Sequence, residues 1–394
     1  MVDATSDART SPPLRLGMVG GGRGAFIGAV HRLCARMDGQ FELVAGALSS
    51  DAQRARDSGA DLGLAPDRVY TSFAQMAAAE AGRPDSIEVV SIVTPNDSHH
   101  AIARAFLDRG IDVICDKPMT TTVEDAVDLV QAVRRSGLVF GLTHNYTGYP
   151  LVRQAREMVA AGELGTIRVV QAEYVQDWLS TKLEDTGHKQ AGWRVDPRRA
   201  GAGGCLGDIG THAYHLVDFV TGLHARELAA DLGRFVEGRM LDDNAHILLR
   251  YEGGVRGMLW ASQVAPGNEN GLRLRVYGDK AGLEWSQEHP NQLRFAPVGR
   301  PPQVMSRGGP CLGAAAAHAT RIPAGHPEGY LEGFANLYHD LAEQIRARRA
   351  KRAPDPRALL VPTVEDGARG VKFIAAAVES NAHNGAWVDA RVRV

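Results

Sequence analysis

From residue 14 to about 145, short apolar runs alternate with segments of helical spacing. The runs are LRLGMV, FELVAGAL, IEVVSIVT, IDVICD and LVFGLTH, rich in Val, Ile and Leu and without strict alternation. Strands buried on both faces have that character, because helices cover both sides of a parallel sheet. Between them, SHHAIARAFLDRG and TTTVEDAVDLVQAVRRSG carry apolar residues at helical spacing, open on Ser or Thr and stop at Gly. Strand and helix alternating in this way predict a doubly wound parallel sheet.

After residue 150 the texture changes. A helix, YPLVRQAREMVAAG, leads to the strand TIRVVQAEYV and then to an irregular stretch holding Trp178 and Trp193. AHILLRYEGGVRGMLWASQ reads as two strands around Gly253-Gly254, and LRLRVYGDKAGLEW repeats the pattern. Strands joined by tight turns predict an antiparallel sheet. Two helices, GYLEGFANLYHDLAEQIRARR and VEDGARGVKFIAAAVESNAHNG, come last, and the Gly-, Ala- and Pro-rich segment 300–325 reads as a long loop. The expected fold is α/β: a polar tail over 1–13, a Rossmann dinucleotide-binding domain over 14–145, and an α+β domain with an open, largely antiparallel sheet over 146–394.

A chain of 394 residues is too long for one ordinary core, and 44% hydrophobic with 23% charged residues is the composition of a soluble globular protein. A formal net charge of −2 argues against nucleic acid or an anionic membrane as partner. No apolar run approaches the roughly 18 residues of a membrane helix. MVDATSDARTSPP lacks the basic and apolar regions of a secretory signal. Cys34, Cys115, Cys205 and Cys311 are scattered, as suits reduced thiols. The expected location is cytoplasmic.

In LRLGMVGGGRGAFIGAVHRL, Gly20, Gly22 and Ala25 form G-x-G-x-x-A between a strand and a helix, with Arg23 and Gly24 in the same loop. Gly20 permits the turn, Gly22 lets a pyrophosphate approach the backbone, and Ala25 keeps helix and strand close. The phosphates of a dinucleotide then rest on the helix N-terminus. The second strand ends at Leu48-Ser49-Ser50, with Asp51 later than the usual ribose-binding acid. Ser49, Ser50 and Arg54 suit a 2′-phosphate, whereas Asp51 turned back would serve NAD. The cofactor expected is NAD or NADP, with NADP favoured.

VTPNDSHHAIARAFLDRGIDVICDKPMTTT resembles the T-P-N-x-x-H … E-K-P signature of the glucose-fructose oxidoreductase/inositol dehydrogenase (Gfo/Idh/MocA) family, with Asp116 where the family more often has Glu. GAGGCLGDIGTHAYHLVDFVTG is similar to its G-G-x-x-x-D-x-G-x-H catalytic helix, and TIRVVQAEY and VYGDKAGLEW to its second-domain sheet, so the resemblance runs from about residue 14 to 390. It implies NAD(P)-dependent oxidation of a secondary alcohol on a sugar or cyclitol. Lys117 would sit between nicotinamide and substrate, with Lys117–Pro118 cis. Thr94, Pro95, Asn96 and His99 would lie by the nicotinamide ribose, and Asp116 beside them. Asp208 and His212 would hold and deprotonate the hydroxyl. A homodimer or homotetramer built through the second sheet is also implied.

Elementary chemistry asks for the same residues. Hydride loss from an alcohol carbon requires the hydroxyl proton to leave, and a His near neutrality suits that task. Asp208 and His212 are four apart on one helix face, and a Lys117 ammonium would stabilise the developing alkoxide. For the substrate, His144, Asn145 and Tyr146 in HNYTGYP face the cleft, and Trp193 and Arg194 lie on a loop feeding the catalytic helix. His326 and Tyr330 approach the same cleft, and Arg194, Arg198 and Arg199 raise a phosphorylated or acidic substrate. His100 reads as a helix-face residue and His215 as a packing or capping one. Two other readings stand: a dinucleotide-holding sensor without turnover, and a metal-dependent lyase or hydrolase using Asp208, His212 and His215.

Overall fold

The computed structural model describes residues 11–393. Most of the tail expected over 1–13 therefore lies outside the described residues. Strands β1 (Leu14–Gly20), β2 (Phe41–Ala47), β3 (Val89–Val93), β4 (Asp112–Cys115) and β5 (Phe140–Leu142) form a parallel sheet in the order β2-β1-β3-β4-β5. Every residue of β3, β4 and β5 is buried, which explains their unbroken apolar runs. Helices α1 (Phe26–Met37), α2 (Ala52–Asp61), α3 (Phe73–Ala81), α4 (His99–Leu107) and α5 (Val123–Ser136) connect them. α5 starts where the Thr122 hydroxyl accepts from the Asp125 amide and stops at Gly137, in the left-handed conformation at φ 64°.

The second layer begins with α6 (Pro150–Ala160) and β6 (Ile167–Val175). The short helices α7 (Lys189–Arg194) and α8 (Pro197–Ala200) cross above the parallel sheet's carboxyl edge, and α9 (Thr211–Thr221) follows. Then come β7 (Ala225–Gly233), β8 (Asn244–Tyr251), β9 (Arg256–Ser262), β10 (Gly271–Gly278), β11 (Ala281–Ser286), β12 (Gln292–Pro297) and β13 (Gln303–Ser306). After α10 (Ala314–Ala319), the long helices α11 (Tyr330–Arg349) and α12 (Val364–Ala382) lead to β14 (Val388–Asp389). The nine strands are ordered β13-β12-β11-β10-β6-β9-β8-β7-β14, antiparallel except where β6 meets β9. One face is buried under α6, α9 and α12, and the other is open.

Segment 300–325, expected as a loop, instead supplies β13 and α10. α10 is too short to stand alone. Gln154 and Glu157 of α6 accept from the Gly313 and Ala315 amides at its start and hold it. α11 packs against α1, and its Phe334, Tyr338, Leu341 and Ile345 share a core with Leu14, Leu16, Phe41 and Val89. α12 gives Val364, Ala368 and Val371 to the first core and Phe373, Ala376 and Ala377 to the second. α12 thus belongs to both layers, and α11 reaches the second core through Tyr330 at its start. Among the described residues, no helix is long and apolar enough to cross a membrane.

Candidate active site

A cleft of about 960 Å³ runs from the glycine loop to the start of α9. At its outer end, Gly20 turns the chain at φ 83°, and no side chain caps α1, so its first amides stay free. A Cβ on Gly22 would lie 2.6 Å from the Leu48 carbonyl oxygen, which restricts that position to glycine. Gly20, Gly22, Arg23 and Ala25 line the cleft, whereas Gly24 lies off its wall. The Arg23 guanidinium is committed to Asp61 at 2.5 Å and Asp57 at 3.1 Å on α2. Free amides over a glycine cradle fit the pyrophosphate of a dinucleotide.

Ser49, Ser50 and Arg54 line the ribose end. Asp51 accepts from the Arg54 amide at 2.7 Å as the cap of α2 and does not line the cleft. No carboxylate is among the lining residues in 47–54 or 71–73. Thr94, Pro95 and Asn96 line the middle, and the Asn96 amide donates to the Ala200 carbonyl at 2.9 Å, tying α8 to the Rossmann layer. His99 is placed differently from expectation. It is buried behind the wall with ring nitrogens 2.9 Å from the Pro118 and Thr94 carbonyl oxygens, and so braces the loops that touch the cleft.

At the inner end, the chain leaves β4 through Asp116 and the cis Lys117–Pro118 peptide. Asp116 Oδ1 accepts from the Lys117 amide and the Thr143 hydroxyl, both at 2.9 Å, which fixes the turn. Lys117 Nζ lies 3.1 Å from Asp208 Oδ1 and also donates to the Asp208 carbonyl. Asp208 sits on a π-helical turn, Leu206–Gly210, that leads into α9. Such bulges recur at functional sites because they re-aim side chains. Its Oδ2 accepts from Arg194 Nε at 3.2 Å and Gln263 at 2.9 Å. Burial opposes ionisation of Asp208, but Arg194 and Lys117 beside it hold its carboxyl well below the usual carboxylate range.

His212 is buried at the cleft wall, its Nδ1 3.3 Å from His144 Nδ1. Burial, reinforced by the Lys117 charge, pushes its pKa well below the ordinary value, so the ring is a neutral base at pH 7. Asn145 and Tyr146 line the cleft as expected, and Asn145 Nδ2 is a buried donor without a protein partner. An unpaired buried amide is costly, and a ligand acceptor would relieve that cost. Trp193 stacks under Arg194 at 4.4 Å, and both line the cleft with Arg199 and Tyr330. Arg198 turns out to Asp196, and His326 lies off the wall.

Sequence reasoning missed a polar wall on the second sheet. The Tyr146 and Tyr174 hydroxyls are 2.5 Å apart, and Tyr174 donates to Asn270 at 2.7 Å. Gln176 Nε2 donates to the same Asn270 oxygen at 2.8 Å. The available signal was a polar residue at Gln176, just past the end of β6 and two places beyond the inward-facing Tyr174. Asp208, His212 and His215 do not converge as metal ligands; His215 faces Asp366 on α12 at 3.8 Å. Among the described residues, His318, His339 and Asp340 bring donor atoms together. Both Asp340 oxygens there are already taken, by Arg153 at 2.6 Å and His318 at 2.8 Å.

Residues 14–144 match the oxidoreductase family with NAD-binding Rossmann fold, and residues 152–284 match the Gfo/Idh/MocA C-terminal domain. An oxidoreductase from Sinorhizobium meliloti superposes with a TM-score of 0.87 at 53% identity, over 96% of this chain and 100% of that one. An inositol dehydrogenase homolog from Azotobacter vinelandii, solved with NAD+, gives a TM-score of 0.91 at 42% identity over 97% and 98%. An inositol dehydrogenase homolog from Azotobacter vinelandii solved with NADH and myo-inositol gives a TM-score of 0.89 at 40% identity over 96% of this chain and 98% of that one. The uncharacterized oxidoreductase YfiI of Bacillus subtilis is 37% identical over 385 residues, 96% of this chain and 97% of that protein. A Rossmann layer, a half-open second sheet and these matches along nearly the whole length make the chain a member of the Gfo/Idh/MocA family of oxidoreductases.

Proposed function

We propose that this protein oxidises a secondary hydroxyl of a cyclitol or sugar, with Lys117, Asp208 and His212 at the reacting centre. The observation that carries this reading is the buried Lys117–Asp208 pair beside neutral His212, at the inner end of a dinucleotide groove. Bound nicotinamide supplies the hydride acceptor. His212 takes the hydroxyl proton, and the Lys117 ammonium, oriented by Asp208, stabilises the oxygen as it loses that proton. Asn145, Tyr146, Trp193 and Arg194 orient a polyhydroxyl ring through an apolar face and polar rim. The myo-inositol complex of the Azotobacter homolog supports a cyclitol as the first substrate to try.

The cofactor preference follows from the ribose end. With Asp51 occupied as a helix cap and no carboxylate in the lining of 47–54 and 71–73, a 2′-phosphate meets no repulsion and has Arg54 within the wall. NADP is therefore accepted as well as NAD, and is favoured. The experiment is reduction of both cofactors, followed near ~340 nm, over a panel of cyclitols and sugars. Arg54→Ala should weaken NADP about tenfold, the worth of one exposed charge-assisted contact, and leave NAD within about twofold. Absence of turnover with every substrate while cofactor binds would refute the dehydrogenase reading and favour a sensor.

The open sheet face presents Val169, Leu248, Met258 and Tyr277, of which Leu248 and Met258 are register partners. We assign this face to a homodimer or homotetramer contact, since a contiguous apolar patch is seldom left to solvent. Light scattering should give a multiple of 42.3 kDa, reduced by Leu248→Asp.

A further inference from the structure

His144, expected to face the cleft, instead lies two residues past β5, buried behind the cleft wall and absent from its lining, and nothing in the reaction above uses it. Its ring stacks on His215 at 4.3 Å and 9°, and stands at 85° to the His212 ring with centroids 5.0 Å apart. The contact between His144 and His212 runs Nδ1 to Nδ1 at 3.3 Å. Two neutral imidazoles facing in this way hold a single proton between them. If His144 carries it, the proton of His212 sits on Nε2 and that nitrogen cannot accept another. If His212 carries it, Nε2 keeps its lone pair toward the cleft. The Lys117 ammonium lies on the cleft side and attracts a lone pair more than an N–H bond, which selects the second arrangement.

We propose that His144 is a positioning residue that fixes His212 as the Nδ1–H tautomer, resting on the reading of His212 as the base. The hydroxyl proton then passes from substrate oxygen to His212 Nε2. The resulting imidazolium keeps its Nδ1–H donated to the His144 lone pair, a bond that strengthens as charge appears. The groups facing the pair are Lys117 from the loop after β4, Asp208 from the π-turn, His215 from α9, and Tyr146 and Tyr174 from the polar wall. Behind His215 stand Asp366 and Arg369 of α12. Burial first, and then His215, His212 and Lys117, press His144 toward neutrality, so its lone pair is available.

The test compares His144→Phe, which keeps a ring but removes the acceptor, with His144→Asn, whose side-chain oxygen can replace it. His144→Phe should lower kcat about ten- to a hundredfold, the loss of one hydrogen bond to a charged group, with cofactor Kd within about twofold. The acid limb of kcat/KM should move to lower pH, because the His212 imidazolium loses its acceptor. His144→Asn should recover most of kcat and return the limb. Equal impairment in both variants, or a wild-type pH profile in His144→Phe, would overturn the proposal. His212→Asn separates the two readings. If it is inactive while His144→Phe is normal, only the positioning role fails; if it is fully active, the base assignment fails with it.

Discussion

His212→Ala should lower kcat about 10²–10⁴-fold, the usual cost of removing a general base, while NAD(P) Kd changes little. The ring packs against Tyr146 and Tyr174 at the inner end of the cleft, away from the glycine loop, so cofactor binding should survive. Its pH signature is specific. Because burial holds His212 well below the ordinary imidazole value, it remains an unprotonated base through the neutral range. As pH falls through that lowered value the ring takes a proton and kcat/KM declines, so the acid limb lies below pH 6.5. In His212→Ala that limb should disappear. Lys117→Ala should cost about 10²–10³-fold in kcat through loss of oxyanion stabilisation. Asp208 would keep Arg194 and Gln263, so the fold should hold. Initial rates across pH, with the best substrate of the panel, decide both; near-wild-type rates in either variant would dismiss that residue's role.

The second large effect is on stability. Arg153 on α6 and Asp340 on α11 are almost wholly buried and meet at 2.6 Å. Arg153 Nη1 has no partner even in the intact protein. Asp340→Ala would leave an uncompensated guanidinium in the core and should cost about 3–5 kcal/mol. Replacing both, as Arg153→Met with Asp340→Leu, should recover most of that loss, because apolar side chains of similar volume need no partner. Denaturant midpoints of the three proteins provide the measurement. A single variant no weaker than the double one would show that water or another carboxylate compensates the charge.

Local chemistry was the part of this molecule written plainly in its sequence. The runs of β3 and β4, the Thr122 cap and the glycine loop each depend on neighbours within a few residues, and each is found where expected. Lys117, Asp208 and His212 converge because a strand end and a helix start face one cleft, which a doubly wound topology requires. What stayed hidden depends on distance along the chain. His99 sits in a motif that touches the cleft, yet its ring turns inward to two carbonyls, and no local pattern encodes that rotation. Asn270 and Gln263 join the site only after the second sheet forms. Asp51 looked free to reach a ribose until its place at the start of α2 made it a cap. The segment around α10 carries too weak a pattern to read, since Glu157 of another helix completes it.

The sharing of α11 and α12 between two cores bears on how the protein is made. A ribosome delivers β1–β5 by residue 142, but the helix that covers Leu14, Leu16 and Phe41 ends only at residue 349. At ~5–20 residues per second, those roughly 200 residues take about 10–40 s to synthesise. During that interval this face of the parallel sheet is covered by α1 alone, and the part that α11 will close is apolar surface that other chains would bind. Nascent-chain chaperones would find their work on this protein at the surface beside α1 that α11 closes last, over Leu16, Phe41, Val89 and Ile114.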